Sequence, residues 1–158
     1  MPAVGYLHSE LSCLEKMTLL KSYYHLCKPN VVYMMLICAF VGMLLAEQSV
    51  SSYGYLFISL TGIALCSASA AAINQVVDRK TDASMTRTDQ RPLPQGELSP
   101  THASIFALVI GVLGALVLYF YVNTLTMILT IASLIGYAFI YTIYLKRATP
   151  QNIVIGGL

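Results

Sequence analysis

Asn74, Asp78 and Asp82 recur every four residues in the stretch NQVVDRKTDASMTRTDQRPLP, Asn74 to Pro94. A step of four along an α-helix turns about 400° and climbs about 6 Å, so the three side chains form one stripe winding through an arc of about 80°. An amide and two carboxylates on one face offer the oxygen ligands that magnesium prefers. That ion is usually held by one or two carboxylates together with substrate phosphates. Arg79, Lys80, Arg87 and Arg91 are interleaved with the acids. Arg grips phosphate through its planar fork and Lys as a point charge. Acid for a metal beside base for a phosphate points to a diphosphate substrate. Plain solvated charge is the competing reading of the same residues. Asn74 weighs against it, because an amide in an apolar segment must find a partner.

Around this stretch the chain reads as membrane. It has 158 residues, 57% of them hydrophobic and 10% charged, with a mean hydropathy of +0.71. Ordinary soluble domains carry about 25% charged residues, so too few charges remain to coat a water-facing globule. The formal net charge of +2 is too small to argue for a nucleic-acid partner. Cys13, Cys27, Cys38 and Cys66 show no CxxC spacing, and His8, His25 and His102 are scattered without ligand spacing; all are read as bystanders. The eleven tyrosines are read mostly as span-end anchors, with a minority suited to an isoprenoid pocket, where ring faces favour a developing cation.

The expected fold is all-α, a multi-pass transmembrane helix bundle. Residues 1–22 are expected as a cytoplasmic tail, either loosely ordered or with a short interfacial helix over 12–24. Lys28-Pro29-Asn30 opens the first span at about 30–47, with Pro favoured at a helix start. A polar turn at 47–52 leads to a second span at 53–77, whose LCSASAAAIN segment supplies the small side chains that let helices approach closely in lipid. A third span at 103–122 and a fourth at 125–145 are joined by a tight Asn123-Thr124 turn. Thr149-Pro150-Gln151 caps the start of a fifth from 150, too short here to cross a bilayer that needs about 20 residues. All nine Lys and Arg lie before span one, between spans two and three, or after span four. The positive-inside rule therefore puts the N-terminus and the aspartate-bearing loop in the cytoplasm.

The Asn74–Pro100 segment resembles the first aspartate-rich motif of the UbiA family of intramembrane prenyltransferases. Gln75 stands where many members carry Asp. Lys28-Pro29-Asn30-Val31-Val32-Tyr33 and YTIYLKRATPQNIVIGG at 141–157 are similar to its haem-farnesylating branch. The resemblance covers about Tyr23 to the last residue. It implies a UbiA-like domain over 23–158, about nine helices in a complete bundle, and magnesium-dependent transfer of farnesyl from farnesyl diphosphate to a vinyl group of haem B. Carried over by position, Asn74, Asp78 and Asp82 are the implied magnesium–diphosphate ligands. Arg79 and Lys80 flank them, Arg87 and Arg91 grip the leaving group, and Lys28 and Asn30 form the pocket floor. The family's second aspartate-rich motif has no counterpart after Arg147. The 158 residues alone are therefore expected to be inactive, with a complementary half or a second copy of the chain as a partner. The alternatives are another UbiA-type enzyme prenylating an aromatic ring, a non-catalytic membrane fragment that binds a partner, and a piece of an ion transporter. The bases around the acids argue against the transporter.

Overall fold

The computed structural model describes residues 17–46, 53–86 and 88–145. Within them the chain is helical and turn-like, with no strand. Helix α1 (Met17–Leu26) meets α2 (Pro29–Leu45) at a 49° bend. Pro29 brings no N–H and disfavours helical geometry in the residue before it. Lys28 accordingly leaves the helix, at φ 49° in the left-handed region, a conformation that costs about 1–3 kcal/mol in a non-glycine residue. Residues 17–22 of the expected tail thus belong to a helix.

Helix α3 (Tyr53–Asp82) has 30 residues. At 1.5 Å per residue it is about 45 Å long, against a hydrocarbon core of about 30 Å. It outlasts the expected boundary at 77 by five residues, so the whole Asn74–Asp78–Asp82 stripe is helical. Helix α4 (Pro100–Tyr121) packs along it. Asn123 then caps α5 (Thr124–Ile135), its side-chain oxygen accepting from the Thr126 N–H at 2.6 Å. The expected fourth span changes character at Gly136, where a π-helix takes over to Leu145. By length and composition, α3 and α4 can each cross a membrane, and the bent α1–α2 pair makes a third candidate; Thr124–Ala138 is apolar but shorter. The 47–52 turn, Arg87, Lys146-Arg147, and the expected fifth span lie outside the described residues.

The α3–α4 contact is built from small residues. Ser69 Oγ donates to Ala107 O at 2.7 Å, and Cys66 approaches Gly111 O. A Cβ on Gly114 would lie 2.8 Å from Cys66 Sγ and 2.9 Å from Gly62 O; one on Gly111 would lie 2.7 Å from Ser69 Oγ. Gly114 thus lies against the α3 backbone and Gly111 against the Ser69 side chain, a close approach that small residues permit.

The segment after α3 is polar in composition, yet it folds back onto the helices. Leu93 and Leu98 are buried with Leu26, Ala72, Ala103 and Ala107, and the Tyr23 and Phe106 rings meet at 4.7 Å. Thr88 Oγ1 donates to Asp82 O at 3.0 Å, closing the turn that brings Arg91 back towards the end of α3.

Candidate functional site

Asn74, Asp78 and Asp82 are all buried, at 4%, 4% and 5% exposure. Buried polar groups survive only with partners, and each of the three has one. Asn74 Nδ2 donates to Asp78 Oδ2 at 3.2 Å and to Thr142 Oγ1 at 3.0 Å, across to the π-helix. Lys28 Nζ donates to Asn74 Oδ1. Asp82 Oδ2 pairs with Arg91 Nη1 at 2.5 Å. The run therefore has one character from end to end: oxygens turned inward, with cations of the chain set against both ends.

Two elements position these cations. Lys28 reaches Asn74 because the α1–α2 bend stops α1 beside α3, and Gln75 fixes that stop. Its Nε2 donates to His25 O at 3.0 Å and Leu26 O at 3.1 Å, two carbonyls that a helix C-terminus leaves without helical partners. Gln75 Oε1 is buried without a partner among the described groups. Arg91 is carried by the returning loop.

On the far wall, Thr142 accepts from Asn74 and itself donates to Tyr137 O, five residues back, at 2.8 Å. That spacing belongs to the π-helix, a form that occurs frequently at functional sites. The rings of Tyr137 and Tyr141 stack at 5.5 Å and 8°. Thr142 thereby links Tyr137 to Asn74 through two hydrogen bonds, so the aromatic pair borders the acidic run.

The structure sorts the expected site residues. Asn74, Asp78, Asp82, Lys28 and Arg91 come together. Arg79 instead donates to Val76 O of its own helix at 2.9 Å, Lys80 is exposed, and Asn30 is exposed at the start of α2. Arg87 lies outside the described residues. Gln75, Thr142 and Tyr137 escaped the sequence reading, as did a cavity of about 470 Å³ between α1, α3 and the loop. Thr18, Lys21, Ser22 and His25 line it from α1, with Lys28, Gln75, Arg91 and Glu97 among the rest of its wall. Their spacing of three, four and seven is the signature of one helical face, and it was present in a segment read as a tail. A second groove, apolar and of about 330 Å³, lies between α2 and α3, with Cys27, Pro29, Tyr33, Leu36 and Ala68 in its lining.

The acidic run offers oxygen donors of the kind magnesium takes, and Lys28 and Arg91 already engage Asn74 Oδ1 and Asp82 Oδ2. Among the described residues no three His, Cys, Asp or Glu gather into a metal site. An ion here would need oxygens from its substrate as well, as magnesium commonly does.

Residues 35–158 match the UbiA prenyltransferase family. The chain is 57% identical over 138 residues to protoheme IX farnesyltransferase 2 of Pseudoalteromonas atlantica, covering 87% of this chain and 45% of that protein. It is 57% identical over 138 residues to the protoheme IX farnesyltransferase of Idiomarina loihiensis, and 54% over 137 to that of Vibrio vulnificus, in each case 87% of this chain and 46% of the relative. The chain thus spans a little under half the length of these curated relatives. No solved structure matches. With a family match across most of its length and an acidic run on the helix that the motif predicts, the chain belongs to the UbiA prenyltransferase family.

Proposed function

We propose that this chain forms the first half of an intramembrane farnesyltransferase that transfers farnesyl from farnesyl diphosphate to a vinyl group of haem B, giving haem O. The observation that carries this is the buried Asn74–Asp78–Asp82 run with Lys28 and Arg91 set against it. In this reading residues 23–158 contribute four complete spans and the start of a fifth to a bundle in the bacterial inner membrane, with the N-terminus and the acidic run on the cytoplasmic side. Carboxylates from the remainder of the family's length complete the diphosphate site, supplied by a complementary half or a second copy.

The chemistry follows from where charge grows. The farnesyl C1–O bond breaks and its electron pair leaves with the diphosphate. C1 bonds to the vinyl carbon, water adds to the neighbouring carbon, and a proton is released. Lys28 and Arg91 face the leaving oxygens, where fixed cations in a dry cavity lower the barrier most. Asn74, Asp78 and Asp82 would hold magnesium, which when bound neutralises the charge developing on the phosphates. Arg79, Lys80 and Arg87 lie near enough in sequence to steer the diphosphate into place. The stacked Tyr137–Tyr141 rings offer π faces to the allylic cation, and the apolar groove beside Cys27 and Pro29 gives the farnesyl tail a hydrocarbon wall.

A chimera tests this reading. The chain replaces the matching segment of the Pseudoalteromonas atlantica relative, and farnesylated haem is measured by mass spectrometry in membranes supplied with farnesyl diphosphate, magnesium and haem B. The chimera is expected to make the product, and Asp78→Ala to abolish it without lowering its membrane level. Full activity of the Asp78→Ala chimera would refute the role assigned to the run.

A further inference from the structure

We propose that the 470 Å³ cavity binds the two carboxylate side chains of the porphyrin acceptor, on the opposite side of Lys28 and Arg91 from the metal–diphosphate site. This rests on the acceptor named under the proposed function. The cavity is chemically unlike the acidic run, and neither Asn74, Asp78 nor Asp82 lines it. Its wall is made of donors and cations: Lys21 and His25 on one face of α1, Lys28 at the bend, Arg91 on the loop. The one acid among the described lining residues, Glu97, accepts from Ser22 Oγ at 2.5 Å and is thereby held to the wall.

Such a cavity suits an oxyanion that brings no metal. A diphosphate with magnesium needs acidic ligands and finds them along α3; a carboxylate pair needs only cations and hydrogen-bond donors. Protohaem carries two such carboxylates on one edge of an otherwise apolar ring. The cavity volume lies within the range of small-molecule sites and accommodates that edge, leaving the vinyl-bearing remainder of the ring towards the bundle. Lys28 and Arg91 each touch both chambers, so they fix the distance between the two substrates. Gln75 sets it indirectly, by stopping α1 where Lys21 and His25 face the loop.

The test uses the full chain in lipid nanodiscs and iron-free protoporphyrin IX, which removes axial ligation by His25 as a source of affinity. Fluorescence titration compares the diacid with its dimethyl ester, after subtraction of partition into empty discs. A parallel titration follows farnesyl diphosphate in magnesium, in the chimera that supplies the rest of the diphosphate site. Lys21 and His25 are exposed, so Lys21→Gln and the double variant Lys21→Gln/His25→Gln are expected to fold, checked by helicity and elution. The unaltered chain is expected to prefer the diacid. The double variant should weaken diacid binding by about tenfold, the effect of one lost charge-assisted bond, with the diester and farnesyl diphosphate unmoved. An undiminished diacid preference in the double variant overturns the proposal, as does no such preference in the unaltered chain. A loss confined to farnesyl diphosphate also overturns it and gives the cavity to the leaving group. Asp78→Asn separates the two ideas, since it should lose the diphosphate while keeping the porphyrin. Porphyrin selectivity with no farnesyl diphosphate binding even in the chimera sinks the diphosphate reading and leaves the cavity assignment standing.

Discussion

Gly62 and Asp78 stand about four turns apart on one helix, and the two ends of that helix are held by opposite means. Around Gly62, α3 meets α4 through small residues and the buried Leu118 side chain, with Gly114 against the α3 backbone and no charge. Around Asp78, the same helix is held by a lysine, an arginine and a threonine from other parts of the chain, and its own Gln75 reaches across to α1. In lipid there is little water to expel, so the first region depends on volume. At the polar end, burial of charge has to be matched by partners, so the second depends on charge and donor geometry. A change that keeps volume but alters charge should spare the first and damage the second; a change in volume should do the reverse.

The largest effect is expected from Asp78→Asn, a nearly isosteric loss of charge. Binding of farnesyl diphosphate in magnesium should weaken by about 10- to 100-fold, the scale of one lost interaction with a charged group, while helicity by circular dichroism stays the same. Gly114→Ala probes the other end. Its new methyl group meets Gly62 O and Cys66 Sγ, and overpacking of this kind costs about 1–3 kcal/mol. Thermal unfolding in detergent should register that loss, with diphosphate affinity of the folded fraction unchanged. If Gly114→Ala instead lowered affinity as much as stability, the two regions would be coupled and the contrast would fail.

Arg91→Lys is subtler. It keeps the charge and loses the fork that meets Asp82 at 2.5 Å, and lysine does not replace arginine at such a contact. Because Arg91 is partly exposed, water screens part of the loss, and a weakening of diphosphate binding by about tenfold or less is expected. The smallest effect belongs to Gln75→Ala, which removes the bonds from α3 to the end of α1 at about 1 kcal/mol in all, because His25 O keeps its bond from the Lys28 N–H. Hydrogen exchange should speed up across Met17–Leu26 and stay unchanged across α4. Uniform exchange in both helices would mean that Gln75 does not tether α1.

What the sequence revealed divides along the same line. Asn74, Asp78 and Asp82 were readable because a period of four on a helix needs no tertiary knowledge, and α3 does continue to Asp82. The tight Asn123-Thr124 turn was readable for the same reason, and in the structure Asn123 also caps α5 with a bond reaching only three residues on. Partners were not readable. Lys28 meets Asn74 across 46 residues and Gln75 meets Leu26 across 49, distances set by the bend at Pro29 and by the packing of α1. Arg79 shows the converse: beside the stripe in sequence, it turns back to its own helix. Nothing in GYAFIYTIYL distinguishes a π-helix from an α-helix, since both bury the same apolar run. Leu93 and Leu98 gave the one local hint that the polar loop folds inward, two apolar residues among charges.

The central claim is that Asp78 acts on the diphosphate through a metal. Calorimetric titration of farnesyl diphosphate into the chimera that supplies the rest of the diphosphate site, in nanodiscs, with magnesium and then with excess chelator, for the unaltered sequence and for Asp78→Asn, reads this directly as a two-by-two cycle. The account predicts that chelation and Asp78→Asn each abolish most of the affinity and that together they remove little more than either alone. Equal affinity with and without magnesium in the unaltered chain, or two losses that simply add, would contradict it.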